Sequence, residues 1–433
     1  MVLDLSRFYQ ACNPSKKLVA GNPEDRKYYI DFSTVRGSNI VRELGRTITR
    51  LSPNTPTCQL FTGHIGCGKS TELLQLKAEL EQSGFHVVYF ESSEDLDLAD
   101  VDVTDILLAI ARKVSESLEA ADIRLKPAYF VSLFKEISEI LKTPIEITNV
   151  QFSVGIASIT AKTKDSPKLR GQLRQYMEPR TNSILDAINR ELLGPATQAL
   201  QQKNRKGLVV LIDNLDRLDN SVKPSGQTQP AYLFLDRGEQ LRKLNCHVVY
   251  TIPLVLVFSN DLGLITNRFG VDPKVLPMVP VRSPDGGQCE QGLALLRQMV
   301  LARAFPDLNM YQRLEQVAEV FDRVETLNRL CAISGGHVRN LLVLLYRCLQ
   351  RQDPPLSRDC LEGVIRQRRS ELILAVTEDE MNLLRQVAQH KNVRGEEGYQ
   401  ILLRSMFVFE YKNDQGNWFD INPILAEASE FQT

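Results

Sequence analysis

With 433 residues, and with 52 lysines and arginines against 53 aspartates and glutamates, the chain exceeds what one hydrophobic core usually serves and carries no global field of either sign. A uniformly basic nucleic-acid or membrane-surface protein is thereby excluded, and any such partner needs a local patch. The eight cysteines (12, 58, 67, 246, 289, 331, 348 and 360) form no CxxC pair, which argues against a structural zinc or a disulfide scaffold and for reduced thiols in a cytoplasmic protein.

In chain order, the first 55 residues carry polar turn chemistry around one amphipathic segment, with Val41, Leu44 and Ile48 on one helical face behind Ser38 or Asn39 as cap. Five short apolar runs follow: Cys58 to Thr62, His86 to Glu91, Leu208 to Asp213, His247 to Thr251 and Val275 to Val281. Near-continuous β-branched runs separated by helical patterns predict an α/β fold with a parallel sheet covered on both faces. The gap between the second and third runs far exceeds the dozen or so residues a parallel crossover needs, so an insertion is expected at about 96–200. It holds a helical pattern (Ile106, Leu107, Ile110, Val114, Leu118) and a period-two strand pattern (Val150, Phe152, Val154, Ile156) ending in a turn from Lys162 to Pro167. The longest apolar stretch, Val248 to Phe258, falls short of the roughly 20 residues that cross a bilayer, and no membrane span or signal peptide is expected. Three units are expected: a core over 1–282, a helical lid over 283–372 and a small module over 373–433. The module reads as helix, helix and two strands about Asn413 to Gly416, and it resembles a winged helix.

The most informative segment is Gly63-His64-Ile65-Gly66-Cys67-Gly68-Lys69-Ser70, which follows a strand and opens a helix at Thr71 that Gly84 terminates. Glycines let consecutive amides turn onto phosphates, and the helix N-terminus adds about half a positive charge. Lys69 is expected on the β and γ phosphates, and Ser70 on a magnesium ion. The ligand expected is ATP with Mg²⁺. Cys67, beside a helix N-terminus, is either an activated thiol that alkylation would modify or a small residue that fits.

Gly207 to Asp213 is a buried strand ending in a carboxylate, suited to the magnesium shell opposite Ser70. A resemblance to oligomeric motor ATPases would imply a water-activating glutamate directly after Asp213, but Asn214 follows, and an amide cannot accept that proton. Asp216 is then either the general base or a helix cap. Slow hydrolysis is the corresponding expectation.

With these two motifs the chain resembles the AAA+ superfamily of P-loop NTPases over about residues 35–425, and within it the origin-recognition-like initiators, the STAND signalling ATPases and the KAP family. Asp213-Asn214-Leu215-Asp216 is similar to the strand, acid, two residues and second acid of the last two. The resemblance implies a sheet ordered 5-1-4-3-2, a helical lid and an ATP site at a subunit boundary, hence a homo-oligomer on ATP binding. It implies that Thr251 is the γ-phosphate sensor on the fourth strand, the alternative being a satisfied strand-end hydroxyl. It places Arg268 as an arginine finger for a neighbouring subunit, or else a solvated loop arginine. In Ser334 to Asn340, Val338, Leu341, Leu342 and Leu345 share one face of a glycine-started helix, leaving Arg339 free to point at a ligand. The resemblance makes Arg339 the lid's sensor. It also puts Tyr29 to Asp31 and Val35 to Gly37 near the adenine.

From Thr377 to Thr433 ten acidic residues oppose five basic ones, and the stretch from Arg394 to Arg404 that would read DNA includes Glu396 and Glu397. Nucleic acid is therefore disfavoured, and a protein partner bound through the insertion or the winged-helix module is expected. The leading expectation is an ATP-driven switch controlling assembly or partner binding. The alternative is a DNA-associated initiator or loader ATPase.

Overall fold

A computed structural model describes residues 3–125, 128–140, 155, 166–223 and 226–431. The helices that matter for the site are α1 (Leu5–Ala11), α2 (Ile40–Arg46), α3 (Lys69–Gln82), α4 (Val103–Ala120), α5 (Leu262–Phe269), α6 (Glu290–Ala304), α7 (Val324–Ile333), α8 (Val338–Leu349), α9 (Arg358–Ile373), α10 (Glu378–His390) and α11 (Glu397–Arg404). Strands β1 (Cys58–Gly63), β2 (His86–Glu91), β3 (Leu208–Asp213), β4 (His247–Thr251) and β5 (Lys274–Leu276) pair in parallel in the order β2-β3-β4-β1-β5. This is the 5-1-4-3-2 order expected. The chain has a P-loop NTPase fold.

All six residues of β3 are buried, because helices cover both faces of the sheet. On one face α2, the helical turn Thr47–Leu51 that continues it, and α3 contribute Leu44, Ile48, Leu73 and Leu76. On the other, α4 contributes Ile106, Leu107, Ile110 and Val114. Asn39 caps α2 by accepting from the Arg42 amide at 2.9 Å, so of the two expected caps the asparagine is used. Asp102 and Asp105 form a reciprocal capping box at the start of α4.

The fifth strand ends at Leu276 rather than Val281, since Pro277 and Pro280 supply no N–H to a ladder. Beyond it the Met278 amide donates instead to the Glu410 carbonyl at 2.9 Å. The first 55 residues hold α1 and a short Pro23–Arg26 helix as well as α2. Helix α1 escapes periodicity because only Phe8 and Ala11 of its seven residues are buried, Phe8 against the lid. The expected strand over Val150 to Ile156, Gly155 apart, and most of the turn after it lie outside the described residues.

After residue 283 the described chain is helical to Ile373, and α10 and α11 then lead into an antiparallel hairpin of β6 (Val408–Asn413) and β7 (Gly416–Ile421). Lid and hairpin share one apolar cluster that includes Leu341, Leu345, Val364, Leu384, Leu402 and Val408. The other face of the hairpin, Phe409, Tyr411 and Trp418, joins the cluster of α2, α3 and the sheet. Among the described residues no helix is long and apolar enough to cross a membrane.

The turn before α8 is where the helical segment after residue 283 meets the chain that leaves β5. Gly335 and Gly336 adopt φ of 64° and 72°, and a Cβ on Gly336 would lie 1.6 Å from the Val279 carbonyl oxygen. Only glycine permits both the left-handed backbone and that approach. Gly336→Ala should therefore destabilise the chain by more than about 1 kcal/mol in a denaturant titration, and a stability equal to wild type would refute this account.

Candidate nucleotide site

The phosphate loop is built by fastening its carbonyls. Lys69 Nζ donates to the Gly63 and His64 oxygens at 2.7 and 2.8 Å. His337 Nε2 donates to the Ile65 oxygen at 2.8 Å, and the Arg339 amide to the Gly66 oxygen at 3.2 Å. Arg36 Nη2 donates to the Cys67 oxygen at 2.8 Å. Five consecutive carbonyls are thus held, two by the loop's own lysine and three from outside it, and a trans peptide directs each N–H opposite its C=O. Glycine makes the path feasible, with φ of 150°, 90° and 112° at Gly63, Gly66 and Gly68. The loop delivers the chain into α3, whose N-terminal dipole favours an anion at the same spot.

One cavity gathers most of the expected residues. Ile65 to Thr71, Asp213, Asp216 and Arg339 line it, together with Lys17, Tyr29, Arg36, Arg217 and Arg303. Gly63 and His64 instead face a groove on the other side of the loop. Thr251 and Arg268 are not part of the cavity. The Thr251 hydroxyl is fully buried, donating to the Ile212 oxygen at 3.2 Å and accepting from the Leu215 amide at 3.0 Å. It therefore anchors the turn that carries Asp216. Arg268 is exposed on α5 and borders a groove whose far wall includes Glu397 and Arg404 of α11.

Asp213 Oδ2 accepts from the Tyr89 hydroxyl at 2.9 Å, and its Oδ1 from the Asn214 amide at 2.8 Å. Burial raises the Asp213 carboxyl above its ordinary value, opposed by the hydrogen bond from Ser70. Asp216 sits in a short turn, Leu215–Arg217, with Oδ2 3.0 Å from Lys69 Nζ. It caps no helix. Burial opposes the Lys69 charge, but Asp216 and the neighbouring groups overcome it and hold the ammonium above its ordinary value. Ser70 and Asp213 would hold a magnesium ion brought with a nucleotide, and the buried, otherwise unpartnered Oδ1 of Asp216 fits a cation's shell beside them. Cys67 is fully buried, and burial raises its thiol despite Lys69 and Arg36 nearby. The small-residue reading of Cys67 is the one the packing supports, and alkylation is not expected.

Two neutral imidazoles join this loop to the rest of the molecule. His337 caps α8 by accepting from the Asn340 amide at 3.0 Å, and burial lowers its ring to about 4. His64 Nε2 accepts from the Glu410 amide of β6 at 3.0 Å, its ring also bonds the Leu403 backbone, and burial, reinforced by His337 and Lys69, keeps it well below the ordinary histidine value. Phe409 stacks on His337 at 5.6 Å and meets His64 edge-on at 5.9 Å. Neither histidine's role was legible in sequence, although a histidine two residues before Arg339 is a recognisable cap position. Arg339 projects into the cavity, its charge disfavoured first by burial and then by Arg217.

Residues 38–222 match a family model described as the KAP family P-loop domain. The phosphate loop and the acidic strand end with Asp213 and Asp216 lie within the matched residues, whereas Lys17, Arg36, Arg303, His337 and Arg339 lie outside them. No curated protein matches the chain. Among solved structures it is similar to a Walker-type ATPase of Pyrococcus abyssi (13% identity, 98% of this chain and 100% of that one, TM-score 0.44). The ORC2 protein of Aeropyrum pernix (13%, 89% and 89%, 0.40) and Cdc6p from Pyrobaculum aerophilum (11%, 100% and 98%, 0.41) are also similar.

Proposed function

We propose that the chain binds ATP with magnesium, hydrolyses it slowly, and uses the nucleotide state to change how the lid and the winged-helix-like module sit on the phosphate loop, so controlling assembly or partner binding. The observation that carries this is His64. A residue of the phosphate loop itself accepts the main-chain amide of Glu410, 346 positions away, while its neighbours Ile65 and Gly66 bind the lid at His337 and Arg339. A triphosphate held by the amides of this loop acts on the same peptide units, so binding and docking of the two modules are coupled.

In this reading Arg339 contacts the γ phosphate from the lid, Arg268 serves a neighbouring subunit, and Thr251 positions the turn of Asp216. Magnesium neutralises phosphate charge when bound. A protein partner is favoured over DNA by the acidic excess of the C-terminal module. The inward packing of Tyr399, Leu402 and Leu403 on α11 adds to that preference.

The test is amide exchange at residues 397–411, with light scattering, with and without a slowly hydrolysed ATP analogue. Exchange at Glu410 should change by about tenfold or more on binding, and His64→Ala should abolish that response. Unaltered exchange and an unaltered mass in a chain that demonstrably binds the analogue would refute the switch.

A further inference from the structure

Asn214 follows Asp213 directly, at the place where the AAA+ resemblance implies a proton acceptor, and its side chain is employed in holding a carboxylate. Asn214 Nδ2 donates to Glu91 Oε2 at 3.0 Å and to Ser93 Oγ at 3.0 Å. The asparagine's left-handed backbone, φ 67°, is one that this residue type tolerates. Glu91 ends β2 and stands level with Asp213 across the parallel ladder. Tyr89, on the same strand, spans the pair: its hydroxyl lies 2.9 Å from Asp213 Oδ2 and 3.4 Å from Glu91 Oε1. Of the other two acids here, Asp213 is engaged with Ser70 and Tyr89, and Asp216 meets Lys69 through Oδ2 at 3.0 Å while its Oδ1 is the oxygen that fits a cation's shell.

Glu91 is 17% exposed and does not itself line the nucleotide cavity, but two of its partners, Lys17 of the N-terminal loop and Asn214, both do. A triphosphate entering that cavity competes for the Lys17 ammonium, because its charge exceeds that of one carboxylate. Glu91 is then left with Asn214 on Oε2 and the Tyr89 hydroxyl on Oε1, and its carboxylate is no longer neutralised by an ammonium.

We propose that Glu91 is the carboxylate that receives the proton of the attacking water, supplied from β2 and held in place by the asparagine that stands where an acid was expected. This rests on the ATPase reading above. In the step, the water oxygen forms a bond to the γ phosphorus and the bond from that phosphorus to the β,γ-bridging oxygen breaks. ADP leaves with the electron pair. The water proton passes to Glu91, which returns it to solvent.

The test compares wild type with Glu91→Gln on the full chain, measuring the affinity for a fluorescent ATP analogue, thermal melting, and the ratio of ATP to ADP recovered from the protein after one turnover time. Glutamine still accepts from Asn214, so folding is spared. Glu91→Gln should bind the analogue within about threefold of wild type, melt with it, and retain unhydrolysed ATP with turnover lowered about 100-fold or more. A purely structural Glu91 predicts the reverse, altered melting or affinity with an unchanged ATP to ADP ratio, and would overturn the proposal. Wild type that binds ATP without hydrolysing it overturns it as well. Wild type that binds no nucleotide brings down the ATPase reading with it.

Discussion

Replacing Lys69 with methionine should lower ATP affinity by roughly a hundredfold or more, because hydrogen bonds to charged groups contribute about 1.5–3 kcal/mol each and the ammonium is expected to reach two phosphates. The same change should also weaken the fold. Lys69 and Asp216 are buried together, their side chains 5% and 3% exposed, and removing one partner of a buried pair typically costs about 3–5 kcal/mol. The two effects separate in Lys69→Met/Asp216→Asn. That variant should melt closer to wild type than the single one yet bind no ATP in a calorimetric titration. Recovery of binding in the double variant would mean that the lysine serves only to neutralise Asp216.

The second large effect is a pH dependence located in the hairpin that rests on the phosphate loop. Glu410 is fully buried, and neither carboxyl oxygen has a hydrogen-bond partner. Burial raises its carboxyl from 4.5 to about 8, with Lys412 opposing. The folded chain therefore retains a proton that the unfolded chain has released, so stability declines as pH rises from about 4.5 and levels off above about 8. The full swing is on the order of 5 kcal/mol, from a difference of about three and a half units at 1.36 kcal/mol per unit. Glu410→Gln keeps the side chain neutral at every pH. It should remove this part of the slope between pH 5 and 8 and melt several degrees above wild type at pH 8. Parallel melting curves for the two proteins across that range would show that Glu410 ionises without penalty. Because the Glu410 amide is also what His64 accepts, alkaline loosening of the hairpin should appear in amide exchange at the phosphate loop before it appears at β3.

The elements around the nucleotide were readable because each has a short-range cause. The glycine spacing of residues 63–68 and the apolar run into Asp213 act within a few residues, and so does the face of Val338, Leu341, Leu342 and Leu345 that leaves Arg339 at its side. Where periodicity was thin, the reading was incomplete. Helix α1 buries too few side chains to leave a pattern, and the prolines at 277 and 280 shorten a strand that looked continuous in hydrophobicity. Asp216 looked like a choice between base and cap, because its partner, Lys69, is distant in sequence.

By itself, then, the amino-acid order determined the phosphate loop, the acidic strand end, the five-strand core and the lid helix, all of them set by backbone conformation and by periodic burial over one or two turns. Only the tertiary structure decided which charges and hydrogen-bonding groups meet: Lys69 with Asp216, Asn214 with Glu91, and His64 with the amide of Glu410. Those pairings depend on strand register and on the docking of the C-terminal hairpin, both of which follow from burying apolar area over the whole chain. No local pattern encodes them.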